Sequence, residues 1–104
     1  MGKLLHQSGC YNIWVNSNGT LELRIISNRR YETVARIDPD EGTKLRERYV
    51  NSVRGWFTSP HFDQEAYRKQ ALEGKVDPFK TWGEIKDFYN LSDEFDTAGR
   101  TTRH

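Results

Sequence analysis

Two runs of alternating apolar residues, joined by a short turn, constrain the fold of this chain more than any other feature. Residues 11–15 and 21–25 each carry an apolar side chain at every second position, which is typical of β-strands that bury one face. These side chains are Tyr11, Ile13, Val15, Leu21, Leu23 and Ile25. Because a turn with Gly19 separates the two runs, they predict a β-hairpin.

The length of the turn decides which side chains share a face of the sheet. A two-residue turn would pair Trp14 with Leu23 and separate the two apolar sets, since a shift of one residue reverses every side chain. A three-residue turn at residues 17–19, with Gly19 left-handed as a bulge, places both sets on one face. The pattern favours the three-residue turn, and Trp14 then lies on the opposite face.

Two further strands are predicted beside the hairpin. Residues 31–37 follow a turn at residues 28–30, and pairing Ser27 with Tyr31 would set Glu22 opposite Arg36 as a pair of opposite charges. Residues 3–6 are a candidate for a fourth strand at the sheet edge. The strands form an antiparallel meander.

A helix is predicted to follow the sheet. Asp38 is a typical N-cap, and Pro39 suits the first turn, where no backbone N–H is needed. Apolar residues then recur at helical spacing and would pack on the apolar face of the sheet. They are Leu45, Tyr49, Val53 and either Trp56 or Phe57.

Two short helices are predicted in the C-terminal half. The first opens at Ser59-Pro60 and ends near Gly74; the second starts with a capping box at Thr81-Trp82-Gly83-Glu84 and ends near Tyr89. Their aromatic side chains would pack either around the first helix or across the second face of the sheet, and the sequence leaves both arrangements open.

The predicted class is therefore α+β: an antiparallel three- to four-stranded meander packed on one long helix, with one or two short C-terminal helices. We expect residues 1–95 to form a single compact domain. Residues 96–104 contain Ala98 as their one apolar residue, which predicts a disordered tail.

Composition argues against several classes of function. The histidines and the single cysteine are far apart in sequence, so we expect no metal, no cofactor and no internal disulfide; they are His6, His61, His104 and Cys10. There is no phosphate-binding glycine loop, no nucleophile elbow and no apolar run of the ~20 residues that a membrane span needs. We expect a cytoplasmic protein that is not an enzyme and has no membrane partner.

The second face of the predicted sheet carries the candidate binding site. Tryptophan and arginine are enriched at the energetic centres of protein interfaces, and both types are predicted to lie there. The candidate partner-binding residues are Trp14, Arg24, Arg36, Ile26, Val34 and Asn16. The alternative is that the C-terminal helices cover this face and that Trp14 belongs to the core.

The three predicted strands and the following helix start resemble integrase arm-binding and AP2-like DNA-binding domains. The likeness lies in Tyr11-Asn12-Ile13-Trp14-Val15, Leu23-Arg24-Ile25 and Asp38-Pro39-Asp40-Glu41. The resemblance implies that the open sheet face enters the major groove, with Trp14, Arg24 and Arg36 as contacts. Glu22 and Glu32 on the same predicted face, and a net charge of only +1, depart from that family because they oppose phosphate binding.

The same stretch also resembles a small phage anti-CRISPR family that blocks the type I-F RNA-guided surveillance complex with an antiparallel sheet backed by two helices. The shared features are Asn12-Ile13-x-Val15, Asn18-Gly19 and Trp56-Phe57, in similar order over about half of the chain. Asn16 and Ser27 stand where that family has its contacting Tyr and Glu, and the second strand alternates in the opposite phase, so the individual contacts do not carry over.

This second resemblance implies a phage-encoded inhibitor that evades host defence by protein–protein interaction. Its partner would be a host protein or nucleoprotein complex such as a Cas effector, in the cytoplasm of an infected cell. The alternative is a small DNA-binding domain that uses the same sheet face. The oligomeric state stays open.

Overall fold

A computed structural model describes residues 2–91 and shows an α+β fold with a four-stranded antiparallel sheet and three helices. The elements are β1 (Lys3–Gln7), β2 (Tyr11–Val15), β3 (Leu21–Ser27), β4 (Arg30–Ile37), a 3-10 helix (Pro39–Glu41), α1 (Thr43–Phe57), α2 (Gln64–Leu72) and α3 (Pro78–Tyr89). The strand order β1-β2-β3-β4 confirms the meander and the fourth strand. The predicted tail at 96–104 and the end of the predicted domain at 95 lie outside the described residues.

The turn between β2 and β3 has the predicted three residues. Asn16 N donates to Thr20 O at 2.9 Å, and Gly19 N donates to Asn16 O at 2.9 Å. Gly19 has a φ of 93°, a left-handed conformation that glycine adopts with little steric cost. The resulting register pairs Val15 with Leu21, so the apolar side chains of both strands share one face.

The turn between β3 and β4 is one residue shorter than predicted. Ser27 pairs with Arg30 rather than with Tyr31, and the two residues of the turn, Asn28 and Arg29, have φ values of 50° and 69°. Positive φ at both central residues is typical of the tight hairpin turn that matches strand twist. The predicted three-residue turn at 28–30 is therefore wrong.

A bulge in β4 compensates for the shorter turn. The register shifts between Leu23 and Arg24, and beyond the shift Glu22 pairs with Arg36 as predicted. Between the turn and the bulge, however, every β4 side chain lies on the opposite face from the one predicted. Val34 is consequently fully buried in the apolar core, which corrects its prediction as a partner-binding residue on the Trp14 face.

The predicted start of the first helix is also corrected. Asp38 precedes the 3-10 helix, and Gly42, with a φ of 94°, separates that helix from α1. The carboxylate of Asp38 accepts from Thr20 Oγ1 at 3.2 Å instead of capping the helix. With α1 of 15 residues and α3 of 12 residues, a single long helix is not confirmed.

The two C-terminal helices begin at aspartate N-caps. Asp63 accepts from Ala66 N at 3.1 Å at the start of α2, and Asp77 accepts from Phe79 N at 2.9 Å at the start of α3. The predicted start at 59–60 is therefore wrong. The predicted capping box is wrong as well, because Thr81 lies inside α3 and donates to Asp77 O at 3.3 Å.

All three helices lie on the apolar face of the sheet. The Phe57 ring of α1 stacks on Tyr11 of β2 at 5.2 Å between centroids, and Ala71 O of α2 accepts from Asn28 N. The buried side chains form one cluster that includes Ile13, Leu23, Ile25, Ile37, Tyr49, Val53, Trp82 and Ile85. Within residues 2–91 the C-terminal helices thus do not cover the face of Trp14, which we call the open face and define by Leu4, Trp14, Asn16, Glu22, Arg24, Thr33 and Arg36.

No helix in the described part of the chain combines the length and the apolar character needed to cross a membrane.

Candidate functional site

The strand register aligns one residue from each strand in a row across the open face. Leu4 pairs with Trp14, Trp14 with Glu22, and Glu22 with Arg36. Leu4 is 47% exposed and the Arg36 side chain is 49% exposed, while Trp14 between them is partly exposed. The row thus runs from an apolar edge to a cationic edge.

Trp14 is held in place by contacts on several sides. The guanidinium carbon of Arg24 lies 5.0 Å from the centroid of the indole, in a cation–π arrangement. The indole Nε1 donates to Asn16 Oδ1 at 3.0 Å. Gly2 lies so close that any side chain there would collide with Trp14 Nε1. The ring is therefore fixed in orientation while part of it stays exposed.

Glu22 is the centre of the polar network beside the indole. Its Oε1 accepts from Arg24 Nη2 at 3.0 Å and from Thr33 Oγ1 at 3.2 Å, and its Oε2 accepts from Asn16 Nδ2 at 2.8 Å. Arg36 Nε is 3.7 Å from Oε2, a longer ion pair than that of Arg24. Glu22, on β3, thereby bonds to β4 and to Asn16, the residue that follows β2, across the open face.

The charge state of Glu22 follows from this network. Its burial favours the neutral acid, but hydrogen bonds from Asn16, Arg24 and Thr33, together with the charge of Arg24, outweigh burial and lower the pKa of the carboxyl. Glu22 is therefore ionised at neutral pH. One carboxylate shared by two guanidiniums leaves the cluster with one excess positive charge.

The structure brings together four of the six predicted site residues: Trp14, Asn16, Arg24 and Arg36. Ile26 pairs with Tyr31 at the far end of the same face and is only 5% exposed. The Tyr31 hydroxyl donates to Ser8 O at 2.9 Å and so reaches the loop after β1. The Tyr31 side chain therefore closes that end of the face. Ile26 is a buried residue like Val34, which corrects its prediction as a surface contact.

The sequence prediction missed two members of the open face and part of the role of a third. It places Glu22 on this face opposite Arg36 as a pair of opposite charges, but not among the candidate partner-binding residues, and it does not predict the bonds of Glu22 to Asn16, Arg24 and Thr33. Leu4 could not be placed, because the β1–β2 register shifts between Leu4 and His6. Thr33 was missed because the bulge in β4 reverses its direction.

A second group of aromatic side chains lies on the helix side. The ring of Trp56 is 5.6 Å from that of Phe88 and 5.8 Å from that of Phe62, measured between centroids, and Phe88 is 64% exposed. Phe57, by contrast, is buried in the core. The pair Trp56-Phe57, one element of the anti-CRISPR resemblance, is thus engaged mainly in packing.

The described residues contain no group of three or more His, Cys, Asp or Glu side chains that could hold a metal ion. Burial raises the pKa of the Cys10 thiol, although the charge of Arg68 lowers it in part, so the thiol is protonated at neutral pH. Its sulfur lies 3.7 Å from Gln64 O, inside the fold.

Comparison with known proteins identifies no relative: no protein family model, no curated protein and no solved structure matches this chain.

Proposed function

We propose that this protein acts without catalysis, by binding a partner protein through the open face of its sheet. The observation that carries the proposal is the stack of Trp14 and Arg24, fixed beside the ionised and largely buried Glu22. Side chains that are ordered before binding lose little conformational entropy on association. Tryptophan and arginine are also the residue types that contribute most to interface energies.

The row across the open face defines the chemistry of a complementary surface. Leu4 and Trp14 offer apolar contact at one edge. Arg36 is more exposed than Arg24 and forms the longer ion pair with Glu22, so it is freer to meet an additional carboxylate. The partner surface would carry an apolar group over the indole and an acidic residue near Arg36, with Asn16 at the border of the contact.

In its sharper form, the proposal is that the partner is a host defence nucleoprotein, such as the type I-F CRISPR surveillance complex, and that the protein is a phage-encoded inhibitor. Support comes from the likeness in Asn12-Ile13-x-Val15 and Asn18-Gly19 and from a sheet that, within residues 2–91, has its helices on one face. In this form, inhibition results from occupying a surface that the complex needs for its activity.

DNA binding is the alternative function of the same face. One observation favours it: Glu32 pairs with Ile25 and so does not lie beside Arg24, where it had been expected to repel phosphate. Glu22 opposes it, because a phosphate would compete with an ionised carboxylate for both arginines. The balance favours a protein partner.

The test is affinity capture from host lysate, with and without nuclease, using the wild type and Trp14→Ala. Phe88→Ala is the matched control, because it removes an exposed aromatic ring from the helix side of the molecule. A discrete protein complex that survives nuclease, persists in the control and is lost in Trp14→Ala is the expected result. The captured complex is then assayed for target DNA binding with and without the protein.

Two results would change the proposal. Recovery of nucleic acid alone, lost at moderate salt, would replace it by DNA binding, because phosphate contacts release counterions and weaken steeply with salt. Equal capture by the wild type and Trp14→Ala would show that the open face is not the binding site.

A further inference from the structure

A groove between β1 and α1 forms a second concave surface, separate from the open face. Its volume is about 490 Å³. The apolar part is formed by Leu5, Leu21 and Val50, and two arginines of α1, Arg46 and Arg54, also line it. The β1–β2 register shifts at Leu5, whose side chain lines the groove and is exposed.

The groove lies next to a strand edge that has no partner in the described sheet. Within residues 2–91, β1 pairs only with β2, so the backbone N–H and C=O groups on its outer side face no strand. Proteins usually protect such edges with proline or several charged residues. In β1 the one residue with a permanent charge is Lys3, and there is no proline. An extended segment can therefore add to this edge as a fifth strand.

Charge indicates what kind of segment would fit. Neither Arg46 nor Arg54 forms an ion pair with a carboxylate within the described chain. Arg54 does bond to the hydroxyl of Tyr11, but a neutral phenol leaves the guanidinium charge uncompensated. Among the described residues that line the groove, Glu47 carries the one carboxylate. The groove is thus net positive beside an apolar floor.

We propose that this groove binds an extended acidic segment of a partner protein, which adds to the outer edge of β1. An aliphatic side chain of the segment would pack on Leu5 and Val50, and its carboxylates would pair with Arg46 and Arg54. A second copy of this chain is the poorer occupant, because pairing two β1 edges would bring two positive grooves together. The inference does not depend on Trp14 and extends the proposed function to a second surface.

The probe is a terminally blocked octapeptide in which valine and glutamate take turns at every second position, so that both line one face of the added strand, with threonine at the positions between them. It is compared with a counterpart that has lysine at every acidic position. Both are titrated into the isotope-labelled full chain and followed by backbone amide shifts. The acidic peptide should shift the amides of residues 3–7 and of α1, and the lysine peptide should not. The double variant Arg46→Glu/Arg54→Glu should bind the acidic peptide about tenfold more weakly or worse.

Two controls separate this site from general charge effects. Lys69→Glu/Lys80→Glu produces the same change in net charge on exposed positions of α2 and α3 and should bind the peptide like the wild type. Arg54 also contacts Tyr11, so Arg46→Glu/Arg54→Glu could melt at a lower temperature than the wild type. In that case the peptide is titrated into the single variant Arg46→Glu, which should still bind it more weakly than the wild type does.

Strand addition itself is tested with N-methylated peptides. Methylation of alternate amides on one edge of the peptide should abolish binding, and methylation of the other set should not, because only one edge pairs with β1. Equal binding of the acidic and lysine peptides, shifts confined to the open face, or self-association of the wild type through β1 would each overturn the inference. Trp14 does not line the groove, so Trp14→Ala should bind the acidic peptide like the wild type even if it no longer captures the partner of the open face.

Discussion

The two faces of the sheet are built from alternate residues of the same strands, yet they are ordered by different forces. On the helix side, Ile13, Ile25 and Ile37 are fully buried in the cluster that the sheet forms with the helices, and order comes from apolar packing. On the open face, Glu22 and Trp14 are ordered by hydrogen bonds, an ion pair and a cation–π contact. The comparison teaches that apolar packing can order one face of a sheet while polar and cation–π contacts order the other, with part of Trp14 left exposed.

This division implies that substitutions on the two faces should separate stability from binding. A core side chain contributes through the apolar area that it removes from water and through the cavity that its loss leaves. A side chain of the open face would instead set the shape and charge that the proposed partner meets. Each prediction below tests one side of this contrast.

The largest effect on stability is expected for Phe57→Ala. The Phe57 ring lies 5.2 Å from Tyr11, 5.0 Å from Phe62 and 5.8 Å from Tyr67, so its removal leaves a cavity in the core. We expect the free energy of unfolding to fall by about 3–5 kcal/mol, measured by urea denaturation. Phe88→Ala, at a 64% exposed position, should change it by less than about 1 kcal/mol. Equal losses in the two variants would contradict the assignment of the core.

Trp14→Ala should lower partner affinity more than it lowers the free energy of unfolding. Losing the contact with Arg24 should cost about 1 kcal/mol of unfolding free energy or less. Affinity for the captured partner should fall by about 2 kcal/mol or more, as for a central interface tryptophan. Unfolding and titration calorimetry on the same variant measure both values. A variant that loses stability and keeps its affinity would place Trp14 among the structural residues.

The hairpin and the sheet order could be predicted because their information is local. Alternation assigns β2 and β3, and the need for a left-handed residue at Gly19 selects the turn length. The pairing of Glu22 with Arg36 was predicted correctly although the register near the turn was not. The predicted turn between β3 and β4 is one residue longer than the observed turn, and the bulge at Val34 adds one residue to β4. These two differences cancel beyond the bulge, while Val34 itself was placed on the wrong face.

The remaining errors concern long-range contacts and competing local patterns. Asp38-Pro39 and Asp77-Pro78 are the same helix-start pattern, but the first begins a 3-10 helix interrupted by Gly42 and the second begins α3. Ile26 is buried beside Tyr31, which bonds to Ser8 far away in sequence, and no periodicity reports such a contact. Trp14 and Arg24 could be grouped in advance from alternation and the turn at Gly19, whereas Arg36 joined them in the prediction because the differences at the turn and the bulge of β4 cancel.

Glu22→Gln tests whether the network on the open face also contributes to stability. The neutral amide leaves Arg24 without its counter-charge, so we expect a loss of about 1–2 kcal/mol at neutral pH. Because the pKa of Glu22 is lowered in the fold, the wild type has this contribution in full above the ordinary carboxyl pKa of about 4.3 and loses it as pH falls further. The difference between the two proteins should therefore shrink in acid unfolding series below about pH 4. A difference that stays constant from neutral to acid pH would show that charge is not its cause.

The smallest effect on stability is expected for Arg36→Ala, and it distinguishes the two arginines of the open face. Arg36 is 49% exposed and its nitrogen is 3.7 Å from Glu22, whereas Arg24 is closer to Glu22 and also covers Trp14. Exposed ion pairs of this kind contribute little, so the free energy of unfolding should change by less than about 0.5 kcal/mol. Partner affinity should nevertheless fall and become less dependent on salt, because Arg36 is the arginine available to a partner carboxylate. If Arg36→Ala instead destabilises the fold as much as Glu22→Gln, then Arg36 belongs to the network that orders this face and not to the surface that a partner meets.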